Sequence, residues 1–351
     1  MTWTPICPYD RLEPERGVAA LLGDVQVAIF RTHDGTLHAI DNFDPYARAN
    51  VLSRGIVGSR GDVPTVARRA RLALGAPGPY GWIARQGLEW RPVETSGVRG
   101  EWLLPGKREA PRGGTILYIH GGGFVACSAA SHRPITSSLV RRTSSTLFST
   151  NYRLAPESPF PAALDDVIAT YEWLVETAPG SPIAIAGDSA GGGLVLSLAI
   201  HARDAGLPAP ACLVGFSPWT DLAGTGASLH ANDGRDPMFR PENIPQFASV
   251  YLNGTRADDP RASPVYAPLH GLPPMLLQAG STELLLDDAR RVHARVLATG
   301  GSSQLSIYDA VHHGWQMTTP WVPEARAALG EAARFIRMHL DGNAAEVNTG
   351  R

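Results

Sequence analysis

The chain has 351 residues, 44% hydrophobic and 18% charged, with a formal net charge of −2 at pH 7. That length suits two domains, or one large domain with an appendage, and the apolar content excludes global disorder. The near-neutral balance leaves no basic excess to hold nucleic acid or an anionic membrane surface. Cys7, Cys127 and Cys212 are too few and too scattered for a disulfide framework or a zinc site, which suits a reduced, cytoplasmic setting. No basic segment followed by an apolar one opens the chain, so no signal peptide is expected. The longest apolar helical run, residues 194–200, is too short to span a bilayer.

The first 67 residues read as a small all-β module. Its short runs are residues 3–7, 18–22, 25–31 (VQVAIFR), 36–40 (TLHAI) and 51–57, with a turn at Thr32-His33-Asp34-Gly35. Residues 68–74 (RRARLAL) then read as a helix with a solvated arginine face, and 75–79 (GAPGP) break it. The boundary falls between Ala67 and Trp90, which leaves 68–92 as linker or cap.

From Val93 onward short apolar strands alternate with helices. Strands are expected at 101–104, 115–120, 146–151, 183–187, 212–216, 275–279 and 304–308. Helices are expected at 134–142, 162–177, 190–205, 242–252, 285–298 and 324–339. Continuous apolar strands such as ILYIH and IAIAG imply an α/β fold whose mostly parallel sheet is buried on both faces by helices. Residues 93–340 form this domain, and the polar residues 341–351 read as a frayed tail.

Gly187-Asp188-Ser189-Ala190-Gly191 is a G-x-S-x-G sequence where a strand ends and a helix begins. Small neighbours permit the sharp turn that lifts a serine oxygen out of the sheet edge toward a substrate. Alone, such a turn equally fits close packing or an anion site at a helix N-terminus. His120-Gly121-Gly122-Gly123-Phe124 follows directly on the strand expected at 115–120. Its glycines let backbone N–H groups face a cavity, where with the N–H of Ala190 they can hold the oxygen of a tetrahedral intermediate. The alternative, a dinucleotide-binding loop, needs a third glycine that GGGFVA lacks.

A serine nucleophile needs a base, and the base an orienting acid. After the strand at 275–279 comes Gly280-Ser281-Thr282-Glu283-Leu284-Leu285-Leu286-Asp287-Asp288. After the strand at 304–308 comes Asp309-Ala310-Val311-His312-His313-Gly314-Trp315-Gln316. Both lie past the carboxyl end of a strand, where open α/β sheets place their sites, so His312 or His313 is the base.

From Val93 to His339 the chain resembles the bacterial hormone-sensitive-lipase-like (family IV) serine carboxylesterases of the α/β-hydrolase superfamily. The carriers are HGGGF at 120–124, YRLAPE at 152–157, GDSAGG at 187–192, SPWTDL at 217–222, ELLLDD at 283–288 and HGWQ at 313–316. The resemblance implies hydrolysis of short-to-medium acyl esters without a cofactor or metal. It implies Ser189 as nucleophile, His313 as base, and Gly122, Gly123 and Ala190 as oxyanion donors. It puts Glu283 at the acid position, where many members carry Asp, with Asp287 the alternative one turn further on. Phe124, Trp219 and Trp315 are candidate acyl-pocket residues, or ordinary core. A lactonase, amidase or deacetylase could use the same triad, and a non-catalytic binding protein is the reading from a different class.

The first 67 residues more loosely resemble the small, cluster-free Rieske-like subunit of assimilatory nitrite reductases. The carriers are 25–31, Asp34-Gly35, DNFDP at 41–45, VLSRG at 51–55 and Val57-Gly58. No Cys-x-His pair is present to ligate a Rieske cluster. Such a module stopping near Ala67 lacks its last strands and needs its edge covered. The segment 68–92 is too brief for the full helical cap that the esterase family carries. The expectation is therefore that the module borders the active-site entrance, with residues 223–262 supplying the rest of the cap; a homodimer contact is the alternative use. The expected partner is a small-molecule ester.

Overall fold

The computed structural model describes residues 8–12, 17–22, 25–32, 35–41, 43–44, 49–50, 67, 70–71, 74, 87–95, 97–106 and 113–348. The runs expected at 3–7 and 51–57 and the break at 75–79 lie outside these residues. The chain divides into two compact units, Met1–Arg69 and Ala70–Arg351.

In the first unit β1 (Gly17–Leu22), β2 (Val25–Arg31) and β3 (Leu37–Asp41) form an antiparallel sheet in that order, and β4 (Phe43–Asp44) pairs with β5 (Ala49–Asn50). Successive strand side chains point to opposite faces, so the burial of the consecutive Ala28, Ile29 and Phe30 means that β2 is covered on both faces there; Leu12 is buried as well. Arg31 lies over the Tyr9 ring at 4.2 Å and donates to the Leu12 carbonyl, while Tyr9 donates to the Gly35 carbonyl at 2.7 Å.

The second unit is built on eight strands. They are β6 (Leu88–Thr95), β7 (Val98–Pro105), β8 (Thr115–Ile119), β9 (Thr146–Thr150), β10 (Ile183–Asp188), β11 (Cys212–Phe216), β12 (Met275–Gly280) and β13 (Ser303–Tyr308). The sheet order is β13-β12-β11-β10-β8-β9-β7-β6. The β6–β7 and β7–β9 pairs are antiparallel and the other five are parallel. Every residue of β8, β10, β11 and β12 is buried, as their unbroken apolar runs require. The sheet begins at Leu88, upstream of the start expected at Val93. β6 is an edge strand carrying Pro92, which cannot donate to a ladder and is tolerated only at an edge or bulge.

The connecting helices are α1 (Arg133–Thr143), α2 (Ala162–Thr177), α3 (Ala190–Asp204), α4 (Ser228–Ala231), α5 (Asn243–Leu252), α6 (Leu286–Ala298) and α7 (Pro323–Asn348). Ile135, Leu139 and Val140 of α1 share a core with Leu329, Phe335 and Ile336 of α7 and with Tyr118, Ala184 and Val214 of the sheet. The helix expected to end at His339 continues to Asn348, so residues 341–348 are not a separate tail here; Ala344, Ala345 and Glu346 are strong helix formers. α4 and α5 lie in the 223–262 insertion between β11 and β12.

The register brings five loops to one edge. Ile119 pairs with Gly187, Asp188 with Phe216, Phe216 with Gln278 and Gly280 with Tyr308. The segments starting at His120, Ser189, Ser217, Ser281 and Asp309 therefore leave the sheet side by side at its carboxyl edge.

Candidate active site

Ser189 stands between β10 and α3 at φ 51° and ψ −121°, a backbone region strained for any residue but glycine. The strain is held from three sides. Ser189 N donates to the Phe216 carbonyl at 2.9 Å, while its own carbonyl accepts from Gly193 N at 3.1 Å and Trp219 N at 2.8 Å. Close packing of β8 against α3 explains the flanking glycine, because a side chain at Gly191 would run into the Ile119 carbonyl.

The acid and base loops meet each other at the same carboxyl edge of the sheet. His313 Nδ1 lies 2.8 Å from Glu283 Oε2, and both side chains are buried. A carboxylate only accepts, so Nδ1 carries the proton and Nε2 is left as the basic nitrogen. Glu283 Oε1 accepts from Ser217 Oγ at 2.7 Å and from Gly280 N at 2.6 Å. Burial pushes the His313 ring toward neutrality, but the Glu283 hydrogen bond and the charges of Glu283, Asp236 and Asp188 outweigh it and hold its pKa above the ordinary value. His312 instead has Nδ1 2.7 Å from the His313 carbonyl oxygen. Asp287 faces away: it accepts from Ser228 N at 2.9 Å and pairs with Arg290 at 3.3 Å. Ser189 Oγ makes no hydrogen bond to His313 here; such contacts often close only with substrate.

Gly122 and Gly123 sit at φ 107° and 61°. A side chain at Gly122 would strike the Ala126 carbonyl. The turn is closed by Val125 N and Ala126 N, each donating to the Gly122 carbonyl at 3.1 Å. The N–H groups of Gly122, Gly123 and Ala190 donate to no group among the described residues. Three unengaged amides near a strained serine can receive a developing oxyanion.

The loop that carries these amides is anchored on Asp188. Its Oδ1 accepts from Tyr118 Oη at 2.7 Å and Gly121 N at 3.0 Å, and its Oδ2 lies 3.1 Å from His132 Nε2. Burial opposes the charge, yet His132 and Tyr118 hold Asp188 below the usual carboxylate range. His120 stacks on Tyr152 with ring centroids 4.2 Å apart, and burial pushes its pKa down to about 3, so it stays neutral.

Phe124 is buried, stacked on Tyr251 at 3.7 Å and near Trp219 at 5.7 Å. Trp315 lies beside Tyr308 in a core cluster with Val311, Ala325 and Ala328. The insertion adds Phe239, edge-on to His313 at 5.2 Å, and Phe247, against which a side chain at Gly123 would press. A cavity of about 890 Å³ is bounded by Arg71, His120, Cys127, Asn151, Tyr152 and Glu157, and none of Ser189, Glu283 and His313 lines it.

The residues not singled out in the sequence are Asp188, His132, Ser217, Asp236, Phe239 and Arg71. Asp188 and Ser217 lay inside quoted motifs, which was the available signal. His132 had none, since its partner is 56 residues away. Arg71 belongs to the helix expected to show a solvated arginine face. It docks instead, donating to the Val125 and Ala155 carbonyls at 2.8 and 3.0 Å and clasping Glu157.

Residues 116–317 match the family described as having an alpha/beta hydrolase fold, and residues 2–70 match the Rieske-like [2Fe-2S] domain. The donors of the second match do not fit that cluster: residues 1–69 hold one cysteine, Cys7, and two histidines, His33 and His38, whereas a Rieske centre takes two of each. An acetyl-hydrolase of Streptomyces hygroscopicus is 40% identical over 238 residues, covering 68% of this chain and 79% of that protein. A carboxylesterase/phospholipase of Mycobacterium tuberculosis, LipF, is 35% identical over 284 residues, 74% of each chain. A crystal structure of an esterase from the bacterial hormone-sensitive lipase family superposes with a TM-score of 0.71 at 35% identity, over 81% of this chain and 100% of that one. Among the described residues no helix is long and apolar enough to cross a membrane. The chain belongs to the bacterial hormone-sensitive-lipase-like carboxylesterases of the α/β-hydrolase fold, preceded in the sequence by a small all-β Rieske-like module.

Proposed function

We propose that this carboxylesterase hydrolyses short-to-medium acyl esters of small molecules through Ser189, His313 and Glu283, with no cofactor. The observation that carries the reading is the buried 2.8 Å contact between His313 Nδ1 and Glu283, which leaves Nε2 basic at the sheet edge that also carries the strained serine turn. His313 Nε2 takes the Ser189 proton as Oγ attacks the ester carbonyl. The oxyanion rests on the Gly122, Gly123 and Ala190 amides. The imidazolium, stabilised by Glu283, returns its proton to the leaving alcohol, and water then repeats the cycle on the acyl-serine. The likeness to an acetyl-hydrolase favours the small end of the acyl range, and makes deacetylation of an acetyl ester the second reading.

From the sequence we also infer a cytoplasmic enzyme whose N-terminal module serves the catalytic unit as part of its entrance. The test is a chain-length series of aryl esters on the intact protein, on Ser189→Ala and on a form lacking residues 1–67. An organophosphonate should label the intact protein stoichiometrically and Ser189→Ala not at all. Near-full turnover by Ser189→Ala would sink the triad. A stable truncated enzyme with unchanged chain-length preference would sink the role of the module.

A further inference from the structure

The insertion between β11 and β12 reaches the acid–base pair through one short turn. Asn232 Nδ2 donates to the Glu283 carbonyl at 2.8 Å and to the Ser281 carbonyl at 3.2 Å. Asp236 Oδ2 accepts from Leu284 N at 3.2 Å, one residue past the acid. Its Oδ1 accepts from Met238 N at 2.9 Å, a side-chain-closed turn that aims Phe239 edge-on at the His313 ring, 5.2 Å away. Asn232 and Asp236 are both buried. Asp236 has no arginine or lysine within ion-pair distance among the described residues, although Arg235 and Arg240 lie close in sequence; they turn to Asn232 and Asp233. A buried carboxylate without a cationic partner is costly and needs compensation.

We propose that the Asp236–Phe239 turn is a positioning device for the reaction: Asp236 fixes the loop that carries Glu283, and the Phe239 ring braces His313 in the orientation that meets it. It rests on the assignment of Glu283 and His313 as acid and base. Two backbone groups flanking Glu283 are thereby pinned by the insertion, the Glu283 carbonyl by Asn232 and Leu284 N by Asp236. In the resting enzyme the Met238 and Leu284 amides supply part of the charge compensation that Asp236 needs. Each time His313 becomes an imidazolium, Asp236 faces it in addition to Glu283 and Asp188. The charges facing His313 are Glu283 from the acid loop, Asp236 from the insertion and Asp188 from the end of β10. Burial, the largest influence, and the Glu283 charge raise the Asp236 pKa above the ordinary carboxylate value, while the His313 charge and the Met238 and Leu284 amides act against them and favour its ionised form.

The experiment uses the full chain and p-nitrophenyl acetate from pH 5 to 9, with Ser189→Ala, Asp236→Asn, Asp236→Ala, Phe239→Ala and Phe239→Leu. Asp236→Asn keeps the shape of the turn and decides the matter if Asp236→Ala does not fold. Expected is a roughly tenfold lower kcat for Asp236→Asn with KM within about twofold, because misplacement of a catalytic pair acts on turnover. Its acid limb should move to lower pH by about half a unit or more, since removing a negative charge favours neutral imidazole. Phe239→Ala should lower kcat without moving that limb, and Phe239→Leu should recover most of the loss. Parental kcat and parental acid limb in Asp236→Asn would overturn the inference, as would a change confined to KM. An inactive Ser189→Ala beside an unchanged Asp236→Asn removes this inference and leaves the triad standing; an active Ser189→Ala removes the triad itself.

Discussion

Glu283 grips His313 with one carboxylate oxygen, 2.8 Å from Nδ1, while Ser217 and Gly280 hold the other oxygen at 2.7 and 2.6 Å. The three contacts fix the carboxylate plane, so the imidazole has one orientation in which to present Nε2. Glu283→Gln preserves shape and loses the charge that stabilises the imidazolium. We expect kcat to fall roughly 100- to 10,000-fold, less than for Ser189→Ala. Ser217→Ala leaves Glu283 with its charge but one donor fewer, and should lower kcat only about tenfold, with a stability loss of about 1–3 kcal/mol. Steady-state kinetics and urea unfolding of the two variants would expose a reversed order, which would mean the carboxylate is not held this way.

The pH dependence follows from the same pair. His313 is held above its ordinary pKa of 6.5, chiefly by the Glu283 hydrogen bond acting against burial. The acylation rate should therefore rise along a limb centred above pH 6.5, and Glu283→Gln should shift that limb downward. The stability linkage has the matching sign. A histidine whose folded pKa is raised contributes stability that is present below its unfolded value and lost as pH rises through the folded one. A limb centred well below 6.5 in the intact enzyme would contradict the environment described.

Gly122 and Gly123 supply two of the three unengaged amides, and Gly122 has no room for a side chain. At φ 107° and against the Ala126 carbonyl, alanine must shift the backbone. Gly122→Ala should lower kcat about 100-fold or more with little change in KM, as expected for donors engaged mainly in the transition state. Equal loss in kcat and gain in KM would point to general disorder of the loop instead.

How much of this was readable beforehand depended on whether the signal was local. The helix at Ala162–Thr177 and the strand at Cys212–Phe216 match the sequence reading residue for residue, because each is an unbroken apolar or amphipathic run. The edge strand Leu88–Thr95 was not legible, since Pro92 and a half-exposed pattern hide it. The segments carrying Ser189, Glu283 and His313 stood out because each follows a strand's carboxyl end, and the family resemblance then singled out Glu283 and His313 within theirs. Asp188 stood beside Ser189 in the same pentapeptide, but its meaning lies in Tyr118, Gly121 and His132, which only the sheet register and α1 bring to it. The contacts of Asp236 likewise cross 48 residues to Leu284, and no local pattern announces them.

Asp188 is the group whose loss should cost most stability. It is a buried carboxylate with Tyr118, Gly121 and His132 as partners, held below the usual carboxylate range despite burial. Its contribution is present above its unfolded pKa and declines as pH falls through the folded one. Asp188→Ala should destabilise by about 3–5 kcal/mol, because it strands a buried histidine and tyrosine. Asp188→Asn should cost less and still impair turnover by loosening Gly121. Chemical denaturation at pH 7 separates the two, and a cost under about 1 kcal/mol for alanine would contradict the network.

Arg71 offers a sharper test of what holds the glycine loop. Its ion pair with Glu157 has ideal geometry at 2.7 and 2.5 Å, but both side chains are more than a third exposed, at 37% and 62%. Such a pair is worth under about 1 kcal/mol, so Glu157→Gln should be nearly silent. The same guanidinium also donates to the carbonyls of Val125 and Ala155, and Val125 N closes the turn on Gly122. Arg71→Ala leaves those carbonyls without this donor and should cost about 1–3 kcal/mol together with part of kcat. Arg71→Lys should recover little, because an ammonium cannot span Glu157 and two carbonyls at once. Unfolding and kinetics of the three variants settle which contact matters: if Glu157→Gln costs as much as Arg71→Ala, the ion pair holds the loop and the carbonyl contacts do not.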